Sequence, residues 1–220
     1  MLAYFRNNVL HLFALPSLVA SFFTHNRGLT PASAQELAAL MYPALRGEFF
    51  LRWKAEELAA HVDAILQLLV ERGLLVWTAR ADELCAAPAE SAEYPMLLTL
   101  AQAIAPTIAR YYITVRLLEA HGSGTLDTTQ LEEFASLAAD RLSWLQEFRS
   151  PEFSDRKVIR AFIDGLVDGG YLERDAEQKL CFDERLERAD GEARRLLASD
   201  IRHGIIQITT RAGTGEPTAA

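Results

Sequence analysis

The segment ILQLLVERGLLV, residues 65–76, has a counterpart in FIDGLVDGGYLE, residues 162–173. In both segments apolar residues at spacings of three and four lead to a glycine, Gly73 or Gly170, and a short apolar stretch follows. This pattern is typical of a helix that ends at a left-handed glycine and leads into a strand. Because the match has no gap over twelve residues at an offset of 97, it predicts an internal duplication.

The sequence that follows each segment extends the match. Leu84-Cys85 and Leu180-Cys181 correspond at an offset of 96, in runs where the helical period is lost. These runs predict two β-hairpins, near Leu74–Ala87 and Tyr171–Asp183. Each repeat unit then has the order helix, turn, helix, helix, hairpin, which resembles a winged helix. The predicted fold class is mainly α, helical with two small β-hairpins, in a tandem winged-helix-like duplication.

Further helices follow from apolar spacing and from capping residues. Met96–Glu119 is predicted to be one long apolar helix interrupted at Pro106, and Glu184–Ile208 is predicted to be the last helix. Between them, Asp127 and Gln130 have the spacing of a capping pair, which places a helix start there.

These elements divide the chain into five predicted segments. The tail is rich in glycine, proline and threonine, which is typical of disorder at a terminus. The segments are an apolar docking helix at 1–24, the first repeat unit at 25–94, the second repeat unit at 95–184, a C-terminal helix at 185–212 and a disordered tail at 213–220.

Composition narrows the class of protein. Half of the 220 residues are hydrophobic and 24% are charged, as in soluble globular proteins. Acids outnumber bases by 30 to 22, which disfavours nucleic acid as a partner. Cys85 and Cys181 are too few for a disulfide scaffold or an all-cysteine metal site. They are expected to be free, buried thiols on the inner faces of the two hairpins.

An apolar run occupies Val9–Phe23, with the sequence VLHLFALPSLVASFF. A helix that crosses a bilayer needs about 20 apolar residues, so this run is too short. A secretory signal stays open as an interpretation, since Arg6 precedes the run. The preferred interpretation is a buried helix that is apolar over nearly all of its circumference and needs partners on more than one side.

Polar residues precede this run on the same predicted helix. Asn7 and Asn8 lie four and three residues before His11 and can share its face, with Arg6 near the edge. This cluster either satisfies its own hydrogen bonds at a helix end or docks onto something absent from the chain. The docking candidates are Tyr4, Arg6, Asn7, Asn8, His11 and Phe13.

Motifs that carry enzyme chemistry are missing from the sequence. It has no G-x-S-x-G nucleophile elbow and no G-x-x-x-x-G-K-[ST] phosphate loop. It also has no C-x-x-C, H-x-x-x-H or E-x-x-H pair of the kind that binds zinc or iron. No catalytic residue, metal ligand or cofactor is therefore assigned from motifs.

Four strings in chain order carry a family resemblance. They are YFRNNVLHLFALPSLVA at 4–20, EFFLRW at 48–53, RYYIT at 110–114 and SDIR at 199–202. Nearly the whole chain resembles the C-terminal region of the bacterial membrane-bound glycerol-3-phosphate acyltransferase. The resemblance implies an enzyme at the cytoplasmic face of the inner membrane. That enzyme acylates the 1-hydroxyl of glycerol 3-phosphate from an acyl-CoA or acyl-carrier-protein thioester, the first step of phospholipid synthesis.

The catalytic motif of that family has no counterpart here. The resemblance implies an H-x-x-x-x-D motif whose histidine is the general base on the glycerol hydroxyl. None of the residues five positions after the five histidines is aspartate, so no catalytic residue is carried over. Those residues are Pro16, Thr30, Leu66, Leu126 and Ile208.

The chain is therefore expected to be a fragment that starts at Met1, an accessory or docking region inactive on its own. Its expected partner is the missing catalytic half of the acyltransferase. Peripheral attachment to the inner membrane and contact with acyl-CoA or acyl carrier protein are expected only through that half. The fragment itself is expected in the cytoplasm, without a cofactor and without nucleic acid.

Two other functions stay open at this point. A stand-alone tandem winged-helix regulatory or interaction protein that binds DNA needs basic recognition helices, whereas residues 56–72 and 155–169 carry mixed charges. A secreted helical protein would use Val9–Phe23 as its signal peptide.

Overall fold

The computed structural model of the chain describes residues 2–24, 28–49, 51, 53–80, 82–146, 151–186 and 196–213. Helices dominate these residues, with two antiparallel sheets of two strands each. The predicted mainly α class with two hairpins is confirmed. The chain divides into two compact units, Met1–Ala105 and Pro106–Ala220.

The first unit is built around its first helix. Its elements are α1 (Leu2–Thr24), α2 (Pro31–Phe49), α3 (Ala55–Glu71), β1 (Leu75–Trp77), β2 (Leu84–Ala86) and α4 (Glu93–Gln102). Helix α1 contacts the other three helices and β2. Its side chains therefore form the centre of the core, where Leu18, Phe22 and Phe23 are buried.

In the second unit one helix contacts three other elements, and an aromatic pair joins two of the helices. Its elements are α5 (Ala105–His121), α6 (Thr128–Gln146), a 3-10 turn (Pro151–Ser154), α7 (Arg156–Asp168), β3 (Glu173–Arg174), β4 (Leu180–Cys181) and α8 (Ser199–Gly213). Helix α6 contacts the 3-10 turn, α7 and α8. The buried ring of Tyr111 in α5 stacks on Phe162 in α7, with centroids 4.0 Å apart. This stack joins α5 to the helix that precedes the hairpin.

Helices α3 and α7 end in the same way. Gly73 and Gly170 both have a φ of +71°, in the left-handed region that glycine adopts without strain. Each glycine donates its N–H to the carbonyl three residues earlier, and the next residue donates to the carbonyl five residues before itself. The two halves of the duplication therefore share their backbone geometry at the point where the sequence match is strongest.

Each hairpin also pairs with a segment that precedes the second helix of its unit. Leu29 exchanges two backbone hydrogen bonds with Leu84, at 2.9 and 2.8 Å. In the second unit Leu180 donates its N–H to the carbonyl of Leu126 at 2.8 Å. Each unit therefore has the order helix, strand segment, helix, helix, hairpin. The repeat predicted this order with a turn in place of the strand segment.

The predicted interruption at Pro106 is wrong in its position. Helix α4 ends at Gln102, a turn covers 103–104, and α5 begins at Ala105. Pro106 lies in the first turn of α5, where an N–H has no intrahelical acceptor and its loss costs nothing. The proline therefore marks the start of a second helix.

The single last helix predicted over Glu184–Ile208 is also wrong. Helix α8 begins at Ser199, and the turn before it holds two buried residues, Leu196 and Leu197. The backbone at 196–198 is not α-helical, so α8 is a separate helix. Residues 187–195 lie outside the described part of the chain. Of the predicted disordered tail, Gly213 ends α8 and residues 214–220 lie outside the described part.

The two cysteines are free but half-buried, not fully buried as predicted. Cys85 follows Leu84 and Cys181 follows Leu180, and these two leucines are the buried residues of their strands. Side chains alternate between the two faces of a strand. Burial of the leucines therefore directs both thiols to the other face.

The predicted cap of α6 is confirmed. Asp127 Oδ1 accepts a hydrogen bond from the backbone N–H of Gln130 at 2.9 Å, and Gln130 Oε1 accepts from the N–H of Asp127 at 3.1 Å. Lys179 Nζ lies 3.4 Å from the other carboxylate oxygen. The hydrogen bond from the Gln130 N–H is the main cause that lowers the pKa of Asp127 below its ordinary value of 3.8. The hydrogen bond and the positive charge of Lys179 lower it further.

Replacing Asp127 with asparagine should lower the midpoint of thermal unfolding at neutral pH. Asparagine keeps the capping oxygen but loses the charge. Because the pKa of Asp127 is lower in the folded chain than in the unfolded chain, its charge stabilises the fold fully above pH 3.8. This stabilisation is lost as the pH falls through the lowered pKa. The difference between the two proteins should therefore shrink in melts recorded at progressively lower pH.

The matched control is Thr30, the equivalent cap in the first unit. Its Oγ1 accepts from the N–H of Ser33 at 3.1 Å and carries no charge. Thr30→Ala should lower the melting midpoint by a similar amount at every pH. A loss for Asp127→Asn that does not change with pH would contradict the charge argument.

Candidate functional site

Helix α1 changes its surroundings between Phe13 and Ala14. His11, Leu12 and Phe13 are exposed, Leu12 by 58% and Phe13 by 48%. From Ala14 to Phe23 every residue is buried except the half-buried Pro16. Since consecutive residues point about 100° apart, three exposed in succession leave the helix open over most of its circumference. Residues 11–13 are therefore the exposed part of α1, and the helix enters the core of its unit at Ala14.

Two polar irregularities lie close to this junction. Pro16 has no N–H, so the carbonyl of Leu12 loses its intrahelical donor. Ser17 is fully buried, and its Oγ has no hydrogen-bond partner among the described residues. One turn later, Ser21 Oγ donates to the carbonyl of Leu18 at 2.7 Å. Both irregularities therefore lie close to the junction between the exposed and the buried residues of α1.

The structure describes the side chains of two of the six predicted docking residues. His11 and Phe13 are both exposed. Leu18 and Phe22, further along the same helix, are fully buried because helices of the same unit cover them. The docking candidates whose side chains lie outside the described residues are Tyr4, Arg6, Asn7 and Asn8.

Two other histidines take part in packing. The ring of His61 lies against Trp53, with centroids 4.7 Å apart. His121 places Nδ1 2.8 Å from the carbonyl oxygen of Leu117, and its ring stacks on Phe134 at 5.3 Å. Packing contacts therefore explain the positions of both imidazole rings, and no substrate is needed to explain them.

Within the described ranges, no group of three or more His, Cys, Asp or Glu side chains is arranged to hold a metal ion. Among the described helices, none has the length and apolar character needed to cross a bilayer.

A groove in the first unit was missed by the sequence analysis. It lies between α3 and the first hairpin and has a volume of about 320 Å³. Trp77 lines it, as do Leu66 and the acidic residues Asp63 and Glu71. The repeat was the sequence signal that could have revealed the groove, because Trp77 occupies the position at which the second unit has Arg174.

Comparison with known proteins places this chain among acyltransferase sequences. The family described as glycerol-3-phosphate acyltransferase C-terminal region matches residues 1–175. A glycerol-3-phosphate acyltransferase of Pseudomonas fluorescens strain Pf-5 is 40% identical over 210 residues, which is 94% of this chain and 25% of that protein. The enzyme of the same name from Pseudomonas aeruginosa strain UCBPP-PA14 is 38% identical over 218 residues, 98% of this chain and 26% of that protein.

The chain spans about a quarter of the length of the curated relatives it matches. No solved structure matches it.

Substitutions in α1 should separate its exposed part from its buried part. Phe13→Ala should change the free energy of unfolding by less than about 0.5 kcal/mol, as exposed positions usually do. Phe22→Ala should lower it by about 3–5 kcal/mol, because it removes a fully buried ring and leaves a cavity. Urea unfolding followed by circular dichroism measures both. Equal losses would show that Phe13 is packed in the folded chain.

Proposed function

The chain belongs to the family of glycerol-3-phosphate acyltransferase C-terminal regions, and from this membership we propose that it is the accessory docking region of such an enzyme, inactive alone. The observation that supports the docking role most directly is the emergence of α1 from its core, with Leu12 and Phe13 exposed. In the proposed assembly this part of α1 packs against the catalytic part of the acyltransferase.

The exposed part of α1 has the chemistry of a protein interface. Leu12 and Phe13 are apolar anchors, and burial of a side chain such as Phe13 contributes about 1.5–3 kcal/mol. His11 supplies a hydrogen-bonding group beside them. Apolar anchors bordered by polar groups are typical of protein–protein contacts.

The chemistry of acyl transfer supports a catalytic site elsewhere in the enzyme. Transfer to a hydroxyl requires a base within hydrogen-bond reach and donors for the developing oxyanion. The H-x-x-x-x-D spacing is absent, and no acidic residue precedes Glu36 to orient the imidazole of His11. His61 and His121 are engaged in ring packing. We therefore assign the general base and the glycerol 3-phosphate site to the remaining part of the enzyme.

The proposed enzyme transfers an acyl group from acyl-CoA or acyl carrier protein to the 1-hydroxyl of glycerol 3-phosphate, at the start of phospholipid synthesis. The names of the relatives support the acyltransferase class and the glycerol 3-phosphate acceptor. In this proposal the enzyme associates peripherally with the cytoplasmic face of the bacterial inner membrane. The accessory region meets the membrane and the acyl donors only through the catalytic half.

The winged-helix order favours a second candidate, a regulator that binds DNA. In helix-turn-helix proteins the recognition helix lies in the major groove, and its equivalents here are α3 and α7. The exposed side of α3 carries Glu56 and Asp63, which phosphates repel. On α7, Arg160 Nε donates to Glu132 at 2.6 Å, so its charge is already paired. These charges make DNA the weaker candidate.

The purified 220-residue chain should not release thiol from palmitoyl-CoA in the presence of glycerol 3-phosphate above the rate without enzyme. The reason is that it lacks a base paired with an acid at the required spacing. Colorimetric detection of free thiol measures the rate. Turnover that disappears in His11→Ala would show that the chain contains a catalytic site.

Docking is tested by expressing this chain together with the Pseudomonas fluorescens relative from which the matched C-terminal quarter has been removed. The two should purify together and show acyltransferase activity. Phe13→Asp should weaken the complex by about tenfold or more, since burial of its ring contributes at least about 1.5 kcal/mol. The control Trp144→Ser removes an exposed ring of the second unit, 88% accessible, and should leave the complex intact. Failure of the unsubstituted chain to bind would contradict the docking role.

A further inference from the structure

We propose that the groove between α3 and the first hairpin binds a polypeptide segment in which a large apolar side chain is flanked by lysine or arginine. The groove is lined by residues of α3 and the hairpin and by Pro31 of α2, so the proposal is independent of the exposed part of α1. Three observations support it: the apolar lining, the unneutralised acidic rim, and the contrast with the second repeat unit.

The lining of the groove is apolar and partly open. Leu66 and Leu84 are buried at its base, and Val70 is half-buried beside them. Trp77 remains 56% exposed, which leaves a large ring surface facing solvent. The volume of about 320 Å³ is near the lower end of ligand sites, about 300–1,000 Å³. The groove therefore has room for one or two inserted side chains, and tryptophan is among the residues that most often dominate binding energy.

The rim of the groove is negatively charged. Asp63 and Glu71 accept hydrogen bonds from the neutral amides of Gln35, at 2.6 Å, and Gln67, at 2.9 Å. No lysine or arginine of the described residues forms an ion pair with either carboxylate. The two acids are eight residues apart on α3, so their backbones are separated by about 12 Å along the helix. Bases on both sides of an apolar anchor match this arrangement of charge.

In the second unit the equivalent positions contact each other within the chain itself. Trp77 pairs with Leu84 across the first hairpin, and Arg174 pairs with Leu180 across the second. At the repeat offset of 97, Gln67 of α3 corresponds to Asp164 of α7.

In that unit Arg174 Nη2 donates to Asp164 Oδ1 at 2.7 Å, so an ion pair of the chain itself ties the hairpin to the helix. The first unit has an exposed ring and a neutral amide at these two positions. Since the second unit forms its hairpin with Arg174 at this position, a hairpin of this kind does not require a tryptophan there. The exposed ring is therefore available for a partner.

The test uses the full 220-residue chain and a library of random dodecapeptides displayed on phage. Selected peptides should carry an apolar residue flanked by lysine or arginine. Their binding, measured by fluorescence polarisation with synthetic peptides, should weaken as salt is added, because the rim contacts are between exposed charges.

Two variants of the groove and one control assign the binding site. Gln67→Asp combined with Trp77→Arg installs the ion pair of the second unit without changing net charge, and should weaken peptide binding by about tenfold or more. Asp63→Asn combined with Glu71→Gln changes only exposed carboxylates, and should weaken binding and remove most of its salt dependence. Trp144→Ser, outside the groove, should have no effect.

Each alternative outcome overturns the proposal. Failure to enrich any peptide, or enrichment of peptides without bases, shows that the groove does not select this chemistry. Equal binding to the Gln67→Asp, Trp77→Arg variant and to the unsubstituted chain places the peptide elsewhere. Self-association in light scattering that this variant abolishes identifies the occupant as a second copy of the chain. The variant with Asp63→Asn and Glu71→Gln alters only solvent-exposed groups. It therefore still tests the proposal if the variant with Gln67→Asp and Trp77→Arg fails to fold.

Discussion

Burial of α1 from Ala14 to Phe23 is the constraint on which the first unit depends. A helix that is apolar around its circumference cannot face water on any side, so it needs neighbours in several directions. Helices α2, α3 and α4 and strand β2 meet this need. Residues 11–13 of the same helix lie outside this cover and are exposed. Core packing and the exposed part of α1 are thus two consequences of one long helix.

The repeat separates what the backbone requires from what side chains are free to change. Both units close the helix before the hairpin with a glycine at a φ of +71° and with the same two hydrogen bonds. Side chains at equivalent positions have diverged in chemistry. Thr30 and Asp127 both cap a helix, one without and one with charge. Trp77 and Arg174 occupy the same hairpin position and leave very different surfaces. Divergence of this kind allows one fold to present a groove in one copy and an ion pair in the other.

The polar groups of the chain mostly serve packing and capping. Arg160 pairs with Glu132, and His121 stacks on Phe134. Groups used in this way are poorly placed to bind a phosphate or move a proton. Membership of the acyltransferase C-terminal family fits this arrangement, since the relatives extend about four times the length of this chain. The exposed apolar side chains of Leu12, Phe13 and Trp77 are suited to contacts with other polypeptide segments.

Local sequence patterns alone determined the mainly α class, the duplication, both hairpins and the cap at Asp127. These features depend on residues a few positions apart, such as the glycine that ends α3 or the pair Asp127 and Gln130, so their energetics are visible in a short window. The start of α5 before Pro106 and the separate helix from Ser199 were not predicted from these patterns.

Tertiary structure also decided which part of α1 is buried, because Leu18 and Phe13 are equally apolar in the sequence and differ only in whether neighbouring helices reach them. The groove could be found only in three dimensions. Its lining comes from α2, α3 and the hairpin, and the exposure of Trp77 depends on how those elements pack. Local patterns therefore set the elements, whereas long-range packing set the surfaces on which function depends.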